Sequence, residues 1–251
     1  MAGRPPRRRL LGTSVAVALL AVVGALLAGC SSDPKPVAGE TTIRSGGVPV
    51  HAIVRGPSPA KAKGTVLFLH GQAYTSKIWA DRKIMDAVAD AGWRAVAIDL
   101  PGYGDTPKRP DDDGSGSAAS LAGDSAWLKG LIDDLGGPGD VVVVSPSMSG
   151  RFSLPMLQDN PQMAMRGFVP VAPLGMDELA RPNDAIGIPT LVVFGAKDPI
   201  YTKERAQHLL LSMHGGSTSS IEVIPGASHA AYDDHPKEFT KALLAFLANR
   251  T

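Results

Sequence analysis

Three residues in this 251-residue chain have the types and spacing for nucleophilic catalysis: Ser147, Asp198 and His229. Ser147 stands in Val141-Val142-Val143-Val144-Ser145-Pro146-Ser147-Met148-Ser149-Gly150, where four β-branched residues run into a serine with small residues two before and two after it. The pattern reads as a buried strand, a sharp turn and the start of a helix, a nucleophile elbow that lifts the middle hydroxyl above the carboxyl edge of a sheet. The usual elbow has glycine at both flanking positions. Here both are serine, so the motif by itself also suits a Ser-rich loop behind a core strand. A serine hydroxyl is a weak nucleophile until a base takes its proton. Asp198, in Thr190-Leu191-Val192-Val193-Phe194-Gly195-Ala196-Lys197-Asp198-Pro199, follows one apolar run. His229, in Ile224-Pro225-Gly226-Ala227-Ser228-His229, follows the next, which gives the chain order serine, acid, histidine. In these roles His229 takes the Ser147 proton during attack and returns it to the leaving group. Asp198 fixes the imidazole tautomer and stabilises the imidazolium.

Other residues compete for these roles. Asp177 follows the preceding strand and is the alternative acid. Ser145 and Ser149 flank the turn and point away from its apex. His235 reads as the start of the last helix, and His208 and His214 sit on or beside a surface helix. An oxyanion needs donors, and Leu69-His70-Gly71-Gln72 supplies a loop in which Gly71 permits close approach and the Gln72 amide is one donor. The Met148 amide, at the start of the helix, is the second. His70 is expected to hydrogen-bond within the loop and not to act as the base. Asp99-Leu100-Pro101-Gly102-Tyr103-Gly104 reads as a structural strand-to-loop turn. Tyr74, Tyr103 and Phe152 are expected to face the pocket. This chemistry calls for no metal and no organic cofactor.

Alternating elements are required to bring those loops to one edge. Thr41–Arg44 and Val48–Val54 flank Ser45-Gly46-Gly47 and read as an antiparallel hairpin. Val66–Leu69, Arg94–Ile98, the Val141 strand, Phe168–Val171, Thr190–Phe194 and Ile221–Ile224 read as further strands, the apolar ones suited to burial on both faces. Helical spacing covers Ile78–Ala91, Ala118–Leu135, a segment beginning near Ser149 in which Pro155 sits early or makes a bend, Lys203–Met213 and Pro236–Leu247. The alternation predicts an α/β fold with a mainly parallel, doubly wound sheet. Only 16 residues, Leu174–Pro189, join two of the strands, which leaves little or no room for a cap domain. Asp105–Ser117 is acidic and Gly/Ser-rich and reads as a mobile surface loop.

The N-terminus has a separate logic. Arg4, Arg7, Arg8 and Arg9 precede an apolar run from Leu10 to Ala28, which closes on Leu27-Ala28-Gly29-Cys30 at the only cysteine of the chain. That closing segment resembles the lipobox of bacterial lipoproteins, which implies cleavage before Cys30 and lipidation of its sulfur. Arg7-Arg8 followed by Leu10-Leu11 hints at twin-arginine export. Residues 1–29 are therefore read as a signal peptide, 30–39 as a tether and 40–251 as the folded domain. Lys+Arg number 25 against 24 Asp+Glu, and four of the arginines lie in the leader, so 21 face 24 in the remaining 222 residues. No basic stripe is left for a nucleic acid. With Cys30 acylated, no disulfide forms within the chain. The membrane is the expected partner, at about 0.8 kcal/mol per buried CH₂ of the acyl chains. Oligomeric state leaves no trace in the sequence.

Ser145-Pro146-Ser147-Met148-Ser149-Gly150 and Gly167-Phe168-Val169-Pro170-Val171-Ala172-Pro173 resemble the α/β hydrolase domain-containing protein 14 family. The likeness runs from about Thr41 to Ala248 and includes the Leu-His-Gly turn, Asp99–Gly104, Asp198-Pro199 and Gly226–His229. Serine at both elbow positions is the family's habit too. The resemblance implies the α/β-hydrolase fold and hydrolysis of small activated acyl esters. It also implies, from one member, a protein-lysine deacetylase activity that uses coenzyme A. An exported chain would not meet coenzyme A, so a small acyl ester is the expected substrate. The same residues would serve an acyltransferase or deacetylase acting on an envelope substrate. A hydrolase fold kept only as an interaction module would not need Ser147.

Overall fold

A computed structural model describes residues 1, 3, 38–112, 117–175, 187–213 and 218–250. The chain divides into Met1–Asp33 and Pro34–Thr251, and the fold below is that of the second unit. The leader apart from Met1 and Gly3, Cys30 and most of the tether lie outside the described residues.

Eight strands form one sheet: β1 (Gly39–Ser45), β2 (Val48–Arg55), β3 (Thr65–Phe68), β4 (Arg94–Ile98), β5 (Val141–Pro146), β6 (Gly167–Val171), β7 (Leu191–Gly195) and β8 (Ser220–Ile224). Their spatial order is β1-β2-β4-β3-β5-β6-β7-β8. The β1–β2 hairpin is antiparallel and joins β4 antiparallel; from β4 to β8 every pairing is parallel. Period-two alternation sorts the side chains between two cores. Leu67, Val141 and Val143 face one layer, with α3 (Ala118–Asp134), α4 (Gly150–Asp159) and α5 (Lys203–Met213). Val66, Phe68, Val142 and Val144 face the other, with α1 (Lys77–Asp81), α2 (Ile84–Asp90), α6 (Ala231–Asp234) and α7 (Pro236–Ala248). Both faces of β3 and β5 are thus buried, which is why Val66–Phe68 and Val141–Val144 are apolar at every position. The carboxyl ends of the parallel strands lie at one edge, where their following loops gather.

Two expectations need correction. The single helix expected over Ile78–Ala91 is two helices, broken at Lys83, whose φ of 60° is left-handed. At about 100° per residue, Trp79 would point nearly opposite Val88 on one continuous helix. Both are fully buried, and the break lets both reach the core. The loop from Asp105 is not a loose surface segment over its described part. Arg109 is 4 % exposed and pairs with Asp124 of α3, which is 1 % exposed, and with Asp111 at 3.0 Å. Arg151 of α4 closes on the other oxygen of Asp124 at 2.7 Å. Burial alone would lower the Arg109 pKa, but its two carboxylate partners raise it. Pro155 lies inside α4, where it removes a backbone donor from the helix interior. Residues 113–116 and 176–186, the latter in the segment expected to lack a cap, are outside the described residues. No helix among the described residues is long and apolar enough to cross a membrane.

Candidate active site

Ser147 follows β5 directly and has φ 46°. A non-glycine residue in the left-handed region is uncommon, and here it makes the reversal from strand to 3₁₀ turn (Ser147–Ser149) to α4. The Ser147 carbonyl accepts a hydrogen bond from the Leu174 amide at 2.9 Å, which ties the elbow to the segment after β6. The flanking serines turn inward and are fully buried. Ser149 Oγ donates to the Pro146 carbonyl at 2.8 Å, and Ser145 Oγ lies 3.0 Å from Ser149 Oγ and 2.7 Å from Ser153 Oγ. These hydroxyls are satisfied by one another and by the Pro146 carbonyl, which permits serine at both flanking positions inside the core. The strictest size limit falls one residue later. A Cβ on Gly150 would lie 2.2 Å from the Leu174 carbonyl oxygen.

The structure brings Ser147, Asp198 and His229 together. His229 Nε2 lies 2.9 Å from Ser147 Oγ, and its Nδ1 lies 2.7 Å from Asp198 Oδ2. A carboxylate only accepts, so the ring proton sits on Nδ1 and the Nε2 lone pair faces the serine. The other Asp198 oxygen accepts from the amides of Ile200 at 2.8 Å and Tyr201 at 3.1 Å. The Asp198 side chain is wholly buried, whereas that of His229 keeps 30 % exposure. Asp198 and His229 come from successive loops, after β7 and β8, and Gly195 lets those loops meet. A Cβ there would lie 2.1 Å from the Ser228 carbonyl oxygen and 2.3 Å from that of Ala227.

The loop expected to receive an oxyanion lies beside this group. A Cβ on Gly71 would be 3.6 Å from the Cβ of Ser147. The Gln72 amide has no hydrogen-bond acceptor among the described residues. The Met148 amide, at the second position of the 3₁₀ turn, has no acceptor within that turn either. His70 is fully buried and bonds the Gly71 carbonyl through Nδ1 at 2.9 Å, as expected of a loop histidine. Burial pushes its pKa below the ordinary value, against the smaller upward pulls of the Gly71 hydrogen bond and the Asp99 charge. Tyr103 Oη donates to Met148 Sδ at 2.8 Å, which sets Tyr103 against the elbow. Tyr74 and Tyr103 share the rim of a shallow depression of about 400 Å³ beside Gln72. Tyr74 Oη donates to Asp233 at 2.9 Å, and Asp233 is also held by Arg82 at 2.6 Å. Burial and that carboxylate push the Tyr74 phenol up to about 12, so it stays a donor. Phe152 is buried in the core against Trp127 and, with Arg151 and Tyr103, borders a smaller hollow.

The remaining candidates fall elsewhere. Asp177, the alternative acid, and His214 lie outside the described residues. His208 is on α5, and His235 stands at the N-cap position of α7 without a side-chain capping bond. Among the described residues, the side chains close enough to share a cation are His51, Asp99 and Asp105, with donor atoms within 4.8 Å. Asp99 is already engaged as a turn anchor by the amides of Ser76 at 2.7 Å and Asp105 at 3.0 Å, and by His51 Nδ1 at 3.0 Å. Sequence reading missed Gly150 and Gly195 as spacers and α6, whose Tyr232 packs behind Gly71. Only the bare presence of glycine next to Ser147-Met148-Ser149 and at the end of β7 hinted at the first two.

Comparison with known proteins gives the family and the fold. The sequence pattern of the alpha/beta hydrolase fold matches residues 64–185. Human ABHD14B is 36 % identical over 200 residues, covering 76 % of this chain and 86 % of that protein. Zebrafish (Danio rerio) ABHD14A is 36 % identical over 185 residues, covering 73 % of this chain; the match spans 64 % of the zebrafish protein's length. Among solved structures, a CIB-like hydrolase from Thermoplasma acidophilum superposes with a TM-score of 0.70 at 21 % identity, covering 85 % of this chain and 99 % of its own, a likeness of fold.

Proposed function

The chain belongs to the α/β hydrolases, within the ABHD14 family, and from that premise we propose that it is a serine hydrolase of the carboxylesterase type, cleaving small acyl esters through an acyl-enzyme at Ser147. The observation that carries the reading is the His229 imidazole bridging Ser147 Oγ and the buried Asp198 carboxylate. Ser147 Oγ attacks the acyl carbon while its proton passes to His229 Nε2, and the carbonyl electron pair moves onto oxygen. The amides of Gln72 and Met148 donate to that oxyanion. Collapse of the adduct breaks the bond to the alcohol, which leaves with the proton from His229. Water then attacks the acyl-enzyme, with His229 again taking a proton, and the carboxylic acid departs as Ser147 is restored. Asp198 remains ionised throughout and holds the ring through Nδ1.

The name of ABHD14B, a protein-lysine deacylase, favours a second reading in which the acyl group leaves a lysine amide. The residue roles are the same, and the leaving amine takes the proton from His229. The setting is proposed as a membrane face reached by export and lipidation at Cys30, on the lipobox reading of Leu27–Cys30. Labelling with an alkynyl palmitate, compared with Cys30→Ala, checks this, and equal labelling of both would sink it.

The test of function uses detergent-solubilised full-length protein, wild type beside Ser147→Ala and His229→Ala. Each is treated with a fluorophosphonate probe and assayed on short nitrophenyl esters and an acetyl-lysine peptide. Labelling and turnover confined to wild type support the reading, and the better substrate class chooses between ester and amide. A folded wild type that neither labels nor turns over any substrate refutes it and leaves an interaction module.

A further inference from the structure

We propose that His70 is a positioning residue that holds the Gly71–Gln72 peptide in one orientation, so that the Gln72 oxyanion donor is formed before substrate arrives. The inference rests on the serine hydrolase reading above. Its basis is a chain of hydrogen bonds that leaves one arrangement of protons. The Leu100 amide donates to His70 Nε2 at 2.9 Å, so that nitrogen is an acceptor. The ring proton is therefore on Nδ1, which donates to the Gly71 carbonyl at 2.9 Å. The Tyr74 amide donates to the same oxygen at 3.0 Å, and both of its lone pairs are used.

The Gly71 C=O and the Gln72 N–H belong to one planar peptide, in which they point to opposite sides. Anchoring the carbonyl toward His70 and Tyr74 thus aims the amide away from them, on the side left without a protein acceptor. The need for an anchor follows from the glycine. A Cβ at position 71 would meet Tyr232 Oη at 3.1 Å as well as Ser147, so the close approach favours glycine. Glycine also leaves the peptide plane freest to rotate, which would turn a carbonyl where a donor is required. His70 restores the constraint. Its ring is clamped edge-on by Tyr103 at 5.3 Å, and Asp99 is the charged group whose field reaches it. A neutral imidazole suffices, and burial keeps it neutral.

Two variants separate this role from simple anchoring of Leu100. In His70→Asn the amide nitrogen stands near the place of Nδ1 and keeps the donor to Gly71, while the acceptor for Leu100 is lost. In His70→Gln the longer side chain reaches the place of Nε2, keeping the acceptor for Leu100 and losing the donor to Gly71. Each full-length variant is assayed for ester kcat and KM and for inhibition by a boronic acid, whose tetrahedral serine adduct presents an oxygen to the oxyanion donors. The expected result for His70→Gln is about a 10²-fold loss in kcat and a similar loss of boronate affinity, with KM within threefold. His70→Asn is expected to stay within about fivefold of wild type in both. The reverse ranking, or a kcat loss without a change in boronate affinity, overturns the inference while leaving the serine hydrolase reading intact. Should His70→Gln not fold, His70→Asn decides alone: near-wild-type boronate affinity supports the inference and a 100-fold loss overturns it. A wild type without ester turnover removes both readings together.

Discussion

Gly150→Ala gives the sharpest test of how the elbow is built. The glycine has φ −55° and ψ −32°, ordinary for any residue, so an alanine there meets no backbone strain. The obstacle is space. The new Cβ would sit 2.2 Å from the Leu174 carbonyl oxygen and 3.0 Å from both the Leu174 nitrogen and Pro173 Cβ, whereas ordinary contact begins at 3.4 Å. Either α4 or the Pro173-Leu174 backbone must retreat by about 1 Å, and the second movement breaks the Leu174 bond to the Ser147 carbonyl. Overpacking of this kind costs about 1–3 kcal/mol, and the lost hydrogen bond adds about 1. Reduced freedom of the unfolded chain offsets about 0.4–1 kcal/mol. The net expectation is a destabilisation of about 1–3 kcal/mol in urea unfolding. Because α4 follows the Ser147 turn directly and Leu174 is hydrogen-bonded to Ser147, a misplacement of about 1 Å should also cost on the order of 10²-fold in kcat/KM on a nitrophenyl ester. Gly139→Ala is the control, since a Cβ there meets nothing within 4 Å, and it should stay within about 0.5 kcal/mol of wild type. Wild-type stability together with wild-type turnover in Gly150→Ala would refute the close-approach argument.

Asp198→Asn should lower kcat by about 10⁴-fold, because an amide can present a donor to Nδ1 and stabilise the wrong tautomer. Its melting temperature should barely move, and a loss smaller than tenfold would remove Asp198 from the proposed mechanism. Asp124→Ala removes one of the two carboxylates that pair with the buried Arg109, and should destabilise by about 3 kcal/mol in urea titration. A cost below about 1 kcal/mol would mean the pair relaxes into solvent. The pH dependence of stability should contain a His70 contribution. Its folded pKa is depressed by burial, so below the ordinary value of 6.5 the unfolded chain binds a proton that the folded chain refuses. Stability is then lost as pH falls below 6.5, by at most about 1.4 kcal/mol per pH unit. The wild-type curve should therefore be steeper there than that of His70→Asn, and parallel curves would contradict it.

The sequence by itself determined what is written locally in side-chain pattern. Val141–Val144 is apolar at every position because β5 is buried on both faces, and Ala95–Ile98 of β4 shows the same signal. The order Ser147, Asp198, His229 was legible because each residue follows an apolar strand run by a few positions, and a parallel sheet brings such loops to one edge. The lipobox reading of Cys30 also belongs wholly to the sequence. Tertiary structure decided what depends on segments remote in the chain. The break at Lys83 arises because Trp79 and Val88 must both reach one core, which helical spacing alone does not reveal. Arg109 looked like part of a polar loop until Asp124 and Arg151 were placed around it. Gly150 and Gly195 are spacers for Leu174 and Ser228, and the tautomer of His70 is set by Leu100, 30 residues away. Periodicity reports which face of an element is buried. Only the assembled fold says which backbone comes within contact distance and which lone pair is taken, because those energies belong to pairs of groups that the chain brings together last.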